Sequence, residues 1–183
     1  MSGIDEDSPR GQGIVQRRKA IFRERYFPAC RPFPQARELV ARLKEDGLTI
    51  AIATSSSGDE LSALLHAARV HDLIEVATTA SDAERSKPDP DVVLVAAGKT
   101  GLAHEELIMV GDTPYDVEAA ARADIRAVAF RCGGWSDAEL AGAVAIYDDA
   151  ADLLARYDES PFGGARLDAS ARMLRSASRR QGT

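Results

Sequence analysis

Three polar segments of this chain, each placed after an apolar run, contain the residue types that could carry out chemistry. They are residues 54–57, 86–91 and 111–116. The first supplies hydroxyls and backbone N–H groups ahead of a predicted helix, which is an arrangement that binds anions. The second contains Lys87, and the third contains Asp112 and Asp116. An ammonium can pair with a phosphate oxygen, and carboxylates are ligands that Mg²⁺ prefers.

The two aspartates, Asp112 and Asp116, lie four residues apart where a predicted strand passes into a helix. At this spacing both carboxylates can face one cavity once the helix begins, as a metal site would require. A second interpretation is that Asp112 caps the helix that begins at Pro114, since an aspartate before an N-terminal proline is a common helix start. The segment alone leaves both interpretations open.

Lys87 and the hydroxyl segment also have a functional and a structural interpretation. Lys87 could be an ordinary surface lysine, but the Pro-Asp-Pro of residues 88–90 fixes the backbone direction and makes its aim reproducible. The run of serines in 54–57 could be a plain loop. The order of the three segments along the chain favours function, because each one follows a strand.

The spacing of apolar residues predicts the elements that position these segments. Predicted strands cover residues 48–53, 74–78, 107–110, 127–131 and 143–147. Predicted helices cover residues 12–26, 35–46, 58–68, 90–99, 114–123, 137–140 and 149–157. The first strand is a continuous apolar run, so it is predicted to be buried on both faces. Strands and helices alternate, which predicts an α/β fold with a parallel sheet, whose carboxyl ends line one crevice.

Composition and charge narrow the classes of function. With 183 residues, 45% hydrophobic and 28% charged, the chain has the make-up of a soluble globular protein. A net charge of −6 argues against a dedicated nucleic-acid binder. No apolar run approaches the ~20 residues that span a bilayer. Two cysteines without metal-ligand spacing fit a reducing compartment, so we expect a cytoplasmic protein without nucleic-acid or membrane partners. Its oligomeric state cannot be read from the sequence.

Read together, Ser-Lys-Pro-Asp-Pro at 86–90 and Val-Gly-Asp-Thr-Pro-Tyr-Asp at 110–116 resemble two motifs of the haloacid dehalogenase-like (HAD) hydrolases. The hydroxyl segment at 54–57 resembles a further motif of the same family. Pro-Phe-Pro at 32–34 is similar to the point where phosphoglycolate phosphatase-like members return from a helical cap to the core. The resemblance extends from about residue 12 to residue 157.

The resemblance implies a Mg²⁺-dependent phosphatase acting on a small phosphorylated metabolite. It implies that Thr54, with Ser55 nearby, binds the phosphoryl group, and that Lys87 neutralises charge on it. Asp112 would bind Mg²⁺, and Asp116 would bind the metal directly or through water. It also implies a HAD-like Rossmannoid core at 29–160 after a cap remnant at 1–28. The basic stretch at 161–183 is predicted to be a disordered tail.

One family motif is missing from the sequence as given. The family's nucleophile lies in an Asp-x-Asp motif at the end of a first strand, which lies centrally in the sheet between the strands ending at Thr54 and Gly111. Asp5-Glu6-Asp7 matches the Asp-x-Asp pattern, but the apolar run directly before it is the single residue Ile4, so no buried strand could present these carboxylates. A start site placed too late, a decayed gene or a shortened protein with a binding role would each explain this. We therefore expect a sheet without its first central strand, and a chain with little or no catalytic activity.

Overall fold

The computed structural model describes residues 8–163 except 55, 84 and 86, and for Ala80 it describes the backbone only. The chain divides into two compact units, Met1–Pro32 and Phe33–Thr183. The predicted tail lies outside the described residues from residue 164 onward. The predicted polar site lies wholly in the second unit.

The described part of the first unit, from Ser8 onward, is one helix and its extension. Helix α1, Pro9–Ile21, begins where the Ser8 side chain accepts a hydrogen bond from the Gly11 N–H, with a proline at its first position. The helix widens into a π-helical turn, Phe22–Tyr26, and then a 3₁₀ turn, Phe27–Ala29. It starts three residues earlier than predicted, because the cap at Ser8 defines its first turn. Its identity as a cap remnant stays a prediction.

The helices of the second unit follow the predicted order. They are α2, Ala36–Glu45; α3, Gly58–Ala67; α4, Asp91–Thr100; α5, Pro114–Arg122; and α6, Ala150–Ala155. The helix predicted at 137–140 is wrong, because those residues form a single turn. The Glu139 carboxylate accepts from the Ser136 N–H as a helix cap would. Gly142, with a φ of 111°, then turns the chain into a conformation that a helix cannot continue.

The strands form two parallel sheets rather than one. Strand β1, Ala51–Ala53, pairs with β2, Val76–Thr78. Strands β3, Ile108–Gly111; β4, Arg126–Phe130; and β5, Ala145–Tyr147, form the second sheet in sequence order. No ladder joins β1 to β3 in the part of the chain that the structure describes. The predicted parallel α/β fold is confirmed, and β1 and β3 are the strands predicted to flank the missing one.

Strand β1 departs from its prediction. The apolar run at 48–53 yields only three strand residues, and all three are half-buried rather than buried on both faces. Among the described residues β1 pairs only with β2, so no strand covers its other edge. The strand is therefore shorter and less buried than the apolar run predicts.

Helices cover both faces of the strands. One cluster of buried residues, from α2, α6 and the chain that follows α6, includes Leu39 and Leu153 and packs against Ile108 of β3. A second, from α4 and α5, includes Val92 and Ala119 and packs against Met109. Successive side chains of a strand point to opposite faces, so these clusters lie on opposite sides of the sheet. None of the described helices is both long and apolar enough to span a bilayer.

Candidate functional site

Lys87 connects the two sheets at their carboxyl ends. It lies in the turn ahead of α4, and its side chain is 21% exposed. Its Nζ lies 2.6 Å from Asp116 Oδ1 and 3.4 Å from the carbonyl oxygen of Ala53, the last residue of β1. Asp116 belongs to α5, directly after β3. One ammonium thus contacts the end of β1 and the first turn of α5, the helix that follows β3.

Asp116 is held by more partners than any other residue of the site. Its Oδ2 accepts hydrogen bonds from the N–H of Asp112 at 3.2 Å, the N–H of Thr113 at 3.1 Å and the Thr113 hydroxyl at 2.7 Å. The Thr113 oxygen in turn accepts from the Asp116 N–H at 3.2 Å. This reciprocal arrangement is a capping box. With Oδ1 bound to Lys87, both oxygens of this buried carboxylate are engaged.

The surroundings of Asp116 set its charge. Burial alone would raise the pKa of Asp116, but the hydrogen bond and charge of Lys87, with Thr113 and the Asp112 N–H, outweigh burial and hold the pKa below its usual value. Gly111 allows the close approach on which this depends, since a Cβ there would overlap the side chain of Asp116. Asp116 is therefore held as an anion in one position, with its Oδ1 against the Lys87 ammonium.

Asp112 lies next to this pair in a different electrostatic state. Burial, and then the charge of Asp116, raises the pKa of the Asp112 carboxyl, which Lys87 partly offsets. Among the described residues its carboxylate forms no ion pair. The backbone carbonyl of Asp112 packs against Gly133, where any Cβ would overlap it. A half-buried carboxylate with a raised pKa favours a partner that supplies positive charge, either a proton or a cation.

The interpretation of Asp112 as the cap of α5 is wrong, because Thr113 caps this helix. The sequence contained the signal in Thr113-Pro114-Tyr115-Asp116, which has the spacing of a capping box with Asp in place of Glu. Gly111 and Thr113 lie within the motif at 110–116, but our sequence analysis assigned no role to them or to Gly133. Gly111 and Gly133 act through close backbone approach, which has no signature in the sequence.

Thr54 follows β1 and is adjacent to the carbonyl that Lys87 contacts. Its N–H donates to the Thr78 carbonyl at 3.1 Å, and its Oγ1 accepts from the Ser56 N–H at 3.1 Å. Its hydroxyl proton has no acceptor among the described residues and could be donated to a ligand oxygen. Ser55 lies outside the described residues. The N-terminus of α3 is less open than predicted, because the Glu60 carboxylate accepts from both the N–H and the hydroxyl of Ser57.

Among the described residues of the site, one carboxylate, that of Asp112, is open to direct contact with a metal ion. In the ranges that the structure describes, no three or more His, Cys, Asp or Glu side chains form a metal-binding group. Asp112 offers a carboxylate without an ion-pair partner, whereas the oxygens of Asp116 are bound to Lys87 and the capping box. Mg²⁺ keeps several waters when it binds to one or two carboxylates. The residues present therefore fit Mg²⁺ with Asp112 as a direct ligand and Asp116 as a contact through water.

Fold and site together define a parallel α/β protein with a lysine, two aspartates and a threonine at the carboxyl ends of β1 and β3. Residues 6–130 match the family model described as haloacid dehalogenase-like hydrolase. The chain belongs to this family. The resemblance inferred from its motifs is confirmed.

The chain is also similar to individual proteins of known name or structure. The chain is 27% identical over 155 residues to a phosphoglycolate phosphatase of Pectobacterium atrosepticum, covering 84% of this chain and 66% of that protein. It is similar to the crystal structure of a hydrolase from Pseudomonas syringae, with a TM-score of 0.75, 33% identity and coverage of 83% and 71% of the two chains.

CbbY from Rhodobacter sphaeroides, solved in complex with phosphate, matches with a TM-score of 0.59 and 26% identity. That match covers 66% of this chain and 55% of CbbY. The chain spans 44% to 66% of the length of the first curated relatives that it matches.

Proposed function

We propose that this protein binds the phosphate group of a small phosphorylated metabolite beside Mg²⁺, as a member of the phosphatases of its family. The observation that supports this most strongly is the Lys87–Asp116 pair at the meeting point of β1 and α5. A half-buried ammonium, fixed by a buried carboxylate and aimed between two strand ends, is a preformed site for an anion. Small phosphorylated substrates are consistent with the names of the phosphatase relatives.

In this proposal the protein's own residues position the phosphate. The Lys87 ammonium pairs with a phosphate oxygen, while Asp116 holds its direction. The Thr54 hydroxyl donates to a second oxygen, and Ser55 lies near it in the sequence. Phosphoryl transfer depends mainly on positioning and on stabilisation of charge, and these residue types supply both.

Mg²⁺ would be bound by Asp112 directly and by Asp116 through water. When bound, it would neutralise charge on the phosphate oxygens. The raised pKa of Asp112 is consistent with this role, because a nearby cation favours the ionised form of a carboxyl that burial disfavours. A single direct protein ligand predicts weak binding of the metal in the absence of phosphate.

Catalysis by a protein of this length is proposed to be absent or very slow. Asp116 is bound to Lys87, Asp112 is assigned to the metal, and no further carboxylate of the described residues is identified at the site as a nucleophile. The same observation favours a second candidate function, a phosphate- or metal-binding module without turnover. The two functions share one binding site and differ in the rate of hydrolysis.

Phosphate binding can be tested with a matched pair of lysine variants. Lys87→Gln removes the proposed phosphate ligand. Lys99→Gln is the control, since Lys99 also contacts a carboxylate, Asp82, and a backbone carbonyl, Ala77, each at 3.0 Å. Titration with inorganic phosphate, followed by ³¹P NMR in the presence of Mg²⁺, should show binding that Lys87→Gln weakens at least tenfold and Lys99→Gln leaves unchanged. Equal binding by the wild type and Lys87→Gln would refute the proposed site.

Turnover is measured in parallel with a generic phosphate monoester and Mg²⁺. We expect phosphate binding without robust hydrolysis. Robust hydrolysis that Asp112→Asn abolishes would show that the chain does contain a nucleophile, and the inactivity proposal would be wrong. If the folded wild type neither binds phosphate nor hydrolyses the monoester, the proposed function as a whole is contradicted.

A further inference from the structure

Two aromatic rings, to which the proposed function gives no role, lie beside Asp112 at the carboxyl ends of β3 and β4. Tyr115, the second residue of α5, contacts Trp135 edge to face, with ring centroids 6.3 Å apart and ring planes at 80°. Trp135 lies two residues after Gly133, which packs against the backbone carbonyl of Asp112. The aromatic pair is therefore adjacent to the carboxylate that is assigned to Mg²⁺.

The segment that contains Trp135 is fixed at both ends. Arg131 Nε and Nη2 donate to the two carboxylate oxygens of Asp137 at 2.6 and 2.9 Å, which closes the loop across Trp135. Arg131 Nη1 donates to Asp148 at 2.7 Å. The Trp135 side chain packs against a buried cluster of α5 and β4 that includes Val117. The indole is thus held in place before any ligand arrives, which lowers the entropy cost of binding against the pair.

Tyr115 presents its ring to solvent. The residue is 51% exposed, and its hydroxyl forms no hydrogen bond with the described residues. In an edge-to-face pair the partner covers at most one face of a ring, so at least one face of Tyr115 stays uncovered by Trp135. Exposed aromatic faces of this kind bind planar rings such as nucleobases by stacking. The pair therefore has the form of a stacking surface rather than of a core contact.

The positions of the phosphate and of the rings limit the form of the ligand. Lys87, the proposed phosphate ligand, contacts the end of β1, whereas Trp135 follows β4. Neighbouring strands lie ~4.8 Å apart, so a ligand that reaches both places needs several bonds between its phosphate and its planar ring. A nucleoside 5′-monophosphate has this form, because the ribose separates the phosphate from the base.

We infer that Tyr115, held by Trp135, stacks against the base of a nucleoside 5′-monophosphate whose phosphate lies at Lys87 and Thr54. This inference rests on the proposed function, from which it takes the position of the phosphate. Stacking depends on the π-face that every base has, so the pair selects a planar base without strong preference among bases. The substrate class is thereby narrowed from small phosphorylated metabolites to mononucleotides.

Adenosine 5′-monophosphate (AMP) and ribose 5-phosphate are a matched pair of ligands, because they share the sugar phosphate and differ in the base. Their affinities for the full chain are measured by ³¹P NMR titration in the presence of Mg²⁺. We expect AMP to bind about tenfold more tightly, since stacking of a base on an aromatic side chain has an effect of this size. Equal affinities of the wild type for the two ligands would overturn the inference.

Three variants locate the stacking surface. Tyr115→Leu keeps an apolar side chain and removes the ring, so the preference for AMP over ribose 5-phosphate should fall to about twofold or less. Tyr115→Phe keeps the ring and should retain the preference. Tyr26→Leu, at another exposed tyrosine, 61% accessible, is the control and should also retain it. With circular dichroism showing that all three are folded, a preference that survives in Tyr115→Leu would overturn the inference.

Trp135 is the single tryptophan of the chain, so its fluorescence reports on this place. Saturating AMP should quench the emission more strongly than saturating ribose 5-phosphate, and equal emission with both ligands would place the base elsewhere and overturn the inference. Trp135→Leu should lower the preference for AMP about threefold, and Trp135→Phe should restore it, because a phenyl ring can keep the edge-to-face contact. An unchanged preference in Trp135→Leu would overturn the role assigned to Trp135.

The ligand pair separates this inference from the proposed function. If ribose 5-phosphate binds, and Lys87→Gln weakens its binding, but the base adds no affinity, the stacking site is wrong and the phosphate site stands. If neither ligand binds to the folded wild type, the phosphate site is wrong, and the stacking site is overturned with it.

Discussion

Replacement of Asp116 by alanine tests how strongly the site depends on one carboxylate. Asp116 is 6% exposed, and its oxygens bind the Lys87 ammonium, two backbone N–H groups and the Thr113 hydroxyl. Asp116→Ala removes all four interactions at once. It leaves a half-buried ammonium without its counter-charge and the first turn of α5 without half of its capping box.

The expected loss of stability follows from these contacts. Breaking a fully buried ion pair costs ~3–5 kcal/mol, and the partial exposure of Lys87 places this pair below the upper end of that range. Loss of the capping interaction adds about 1 kcal/mol. Part of the cost is recovered when Lys87 turns towards solvent, so we expect Asp116→Ala to lower the free energy of unfolding at pH 7 by about 2–4 kcal/mol.

The effect should depend on pH. The pKa of Asp116 in the folded protein is lower than its unfolded value of ~3.9, so its carboxylate stabilises the fold above that pH. The stabilisation is lost as the pH falls through the folded pKa, when the carboxylate takes up a proton. The difference between the wild type and Asp116→Ala should therefore be full at pH 6 and shrink steadily below about pH 4.

Urea unfolding followed by circular dichroism measures both predictions. The control is Glu118→Ala on the same helix, since Glu118 pairs with Arg122 at an exposed i,i+4 position. We expect this control to change the free energy of unfolding by less than about 0.5 kcal/mol. An Asp116→Ala effect as small as that of Glu118→Ala, or one that is constant between pH 3 and pH 7, would refute the inference that Asp116 holds Lys87.

Three further predictions concern the surroundings of the site. Gly133→Ala should lower the free energy of unfolding by about 1–3 kcal/mol, because the added Cβ would overlap the backbone of Asp112. Gly98→Ala, where α4 has open space for a Cβ, should raise it by about 0.5–1 kcal/mol. Similar shifts of the melting temperature in both variants would contradict this reasoning. Thr78 is fully buried, and its hydroxyl has no hydrogen-bond partner among the described residues. Thr78→Val should therefore raise the free energy of unfolding, measured in urea, by about 1 kcal/mol. A destabilised variant would show that the hydroxyl does have a hydrogen-bond partner. Burial raises the pKa of the Cys132 thiol, and the charge of Asp112 adds to the rise. Asp112→Asn should therefore speed the alkylation of Cys132 by iodoacetamide at pH 8 about twofold. An unchanged rate would contradict the electrostatic effect of Asp112 on this thiol.

The sequence predicted the fold where local signals and tertiary packing agree. Helix α5 was predicted within one residue, because Pro114 and the periodicity of its alanines act locally. The helix predicted at 137–140 was wrong, since these residues form a single turn and the chain leaves helical geometry at Gly142. The apolar run at 48–53 predicted a strand buried on both faces, but the burial of a strand depends on its neighbours in the sheet, and β1 pairs only with β2 among the described residues. Pairing across a sheet is not encoded in a window of a few residues.

The candidate site was also predicted only in part from the sequence. Motif resemblance identified Lys87, Asp112 and Asp116, although Lys87 and Asp116 are 29 residues apart and no local rule connects them. The difference between the two aspartates could not be predicted. In the folded protein Asp116 is bound to Lys87 and Thr113, while Asp112 has the raised pKa and forms no ion pair among the described residues. Their assigned roles remain predictions.

The most direct test of the proposed site is a crystal structure grown with Mg²⁺ and tungstate, a phosphate analogue that is easily located by its electron density. We predict tungstate within hydrogen-bonding distance, about 3 Å, of Lys87 Nζ and Thr54 Oγ1, with Mg²⁺ bound to the Asp112 carboxylate. Tungstate bound elsewhere, with the space beside Lys87 and Thr54 filled by solvent, would contradict the proposed site.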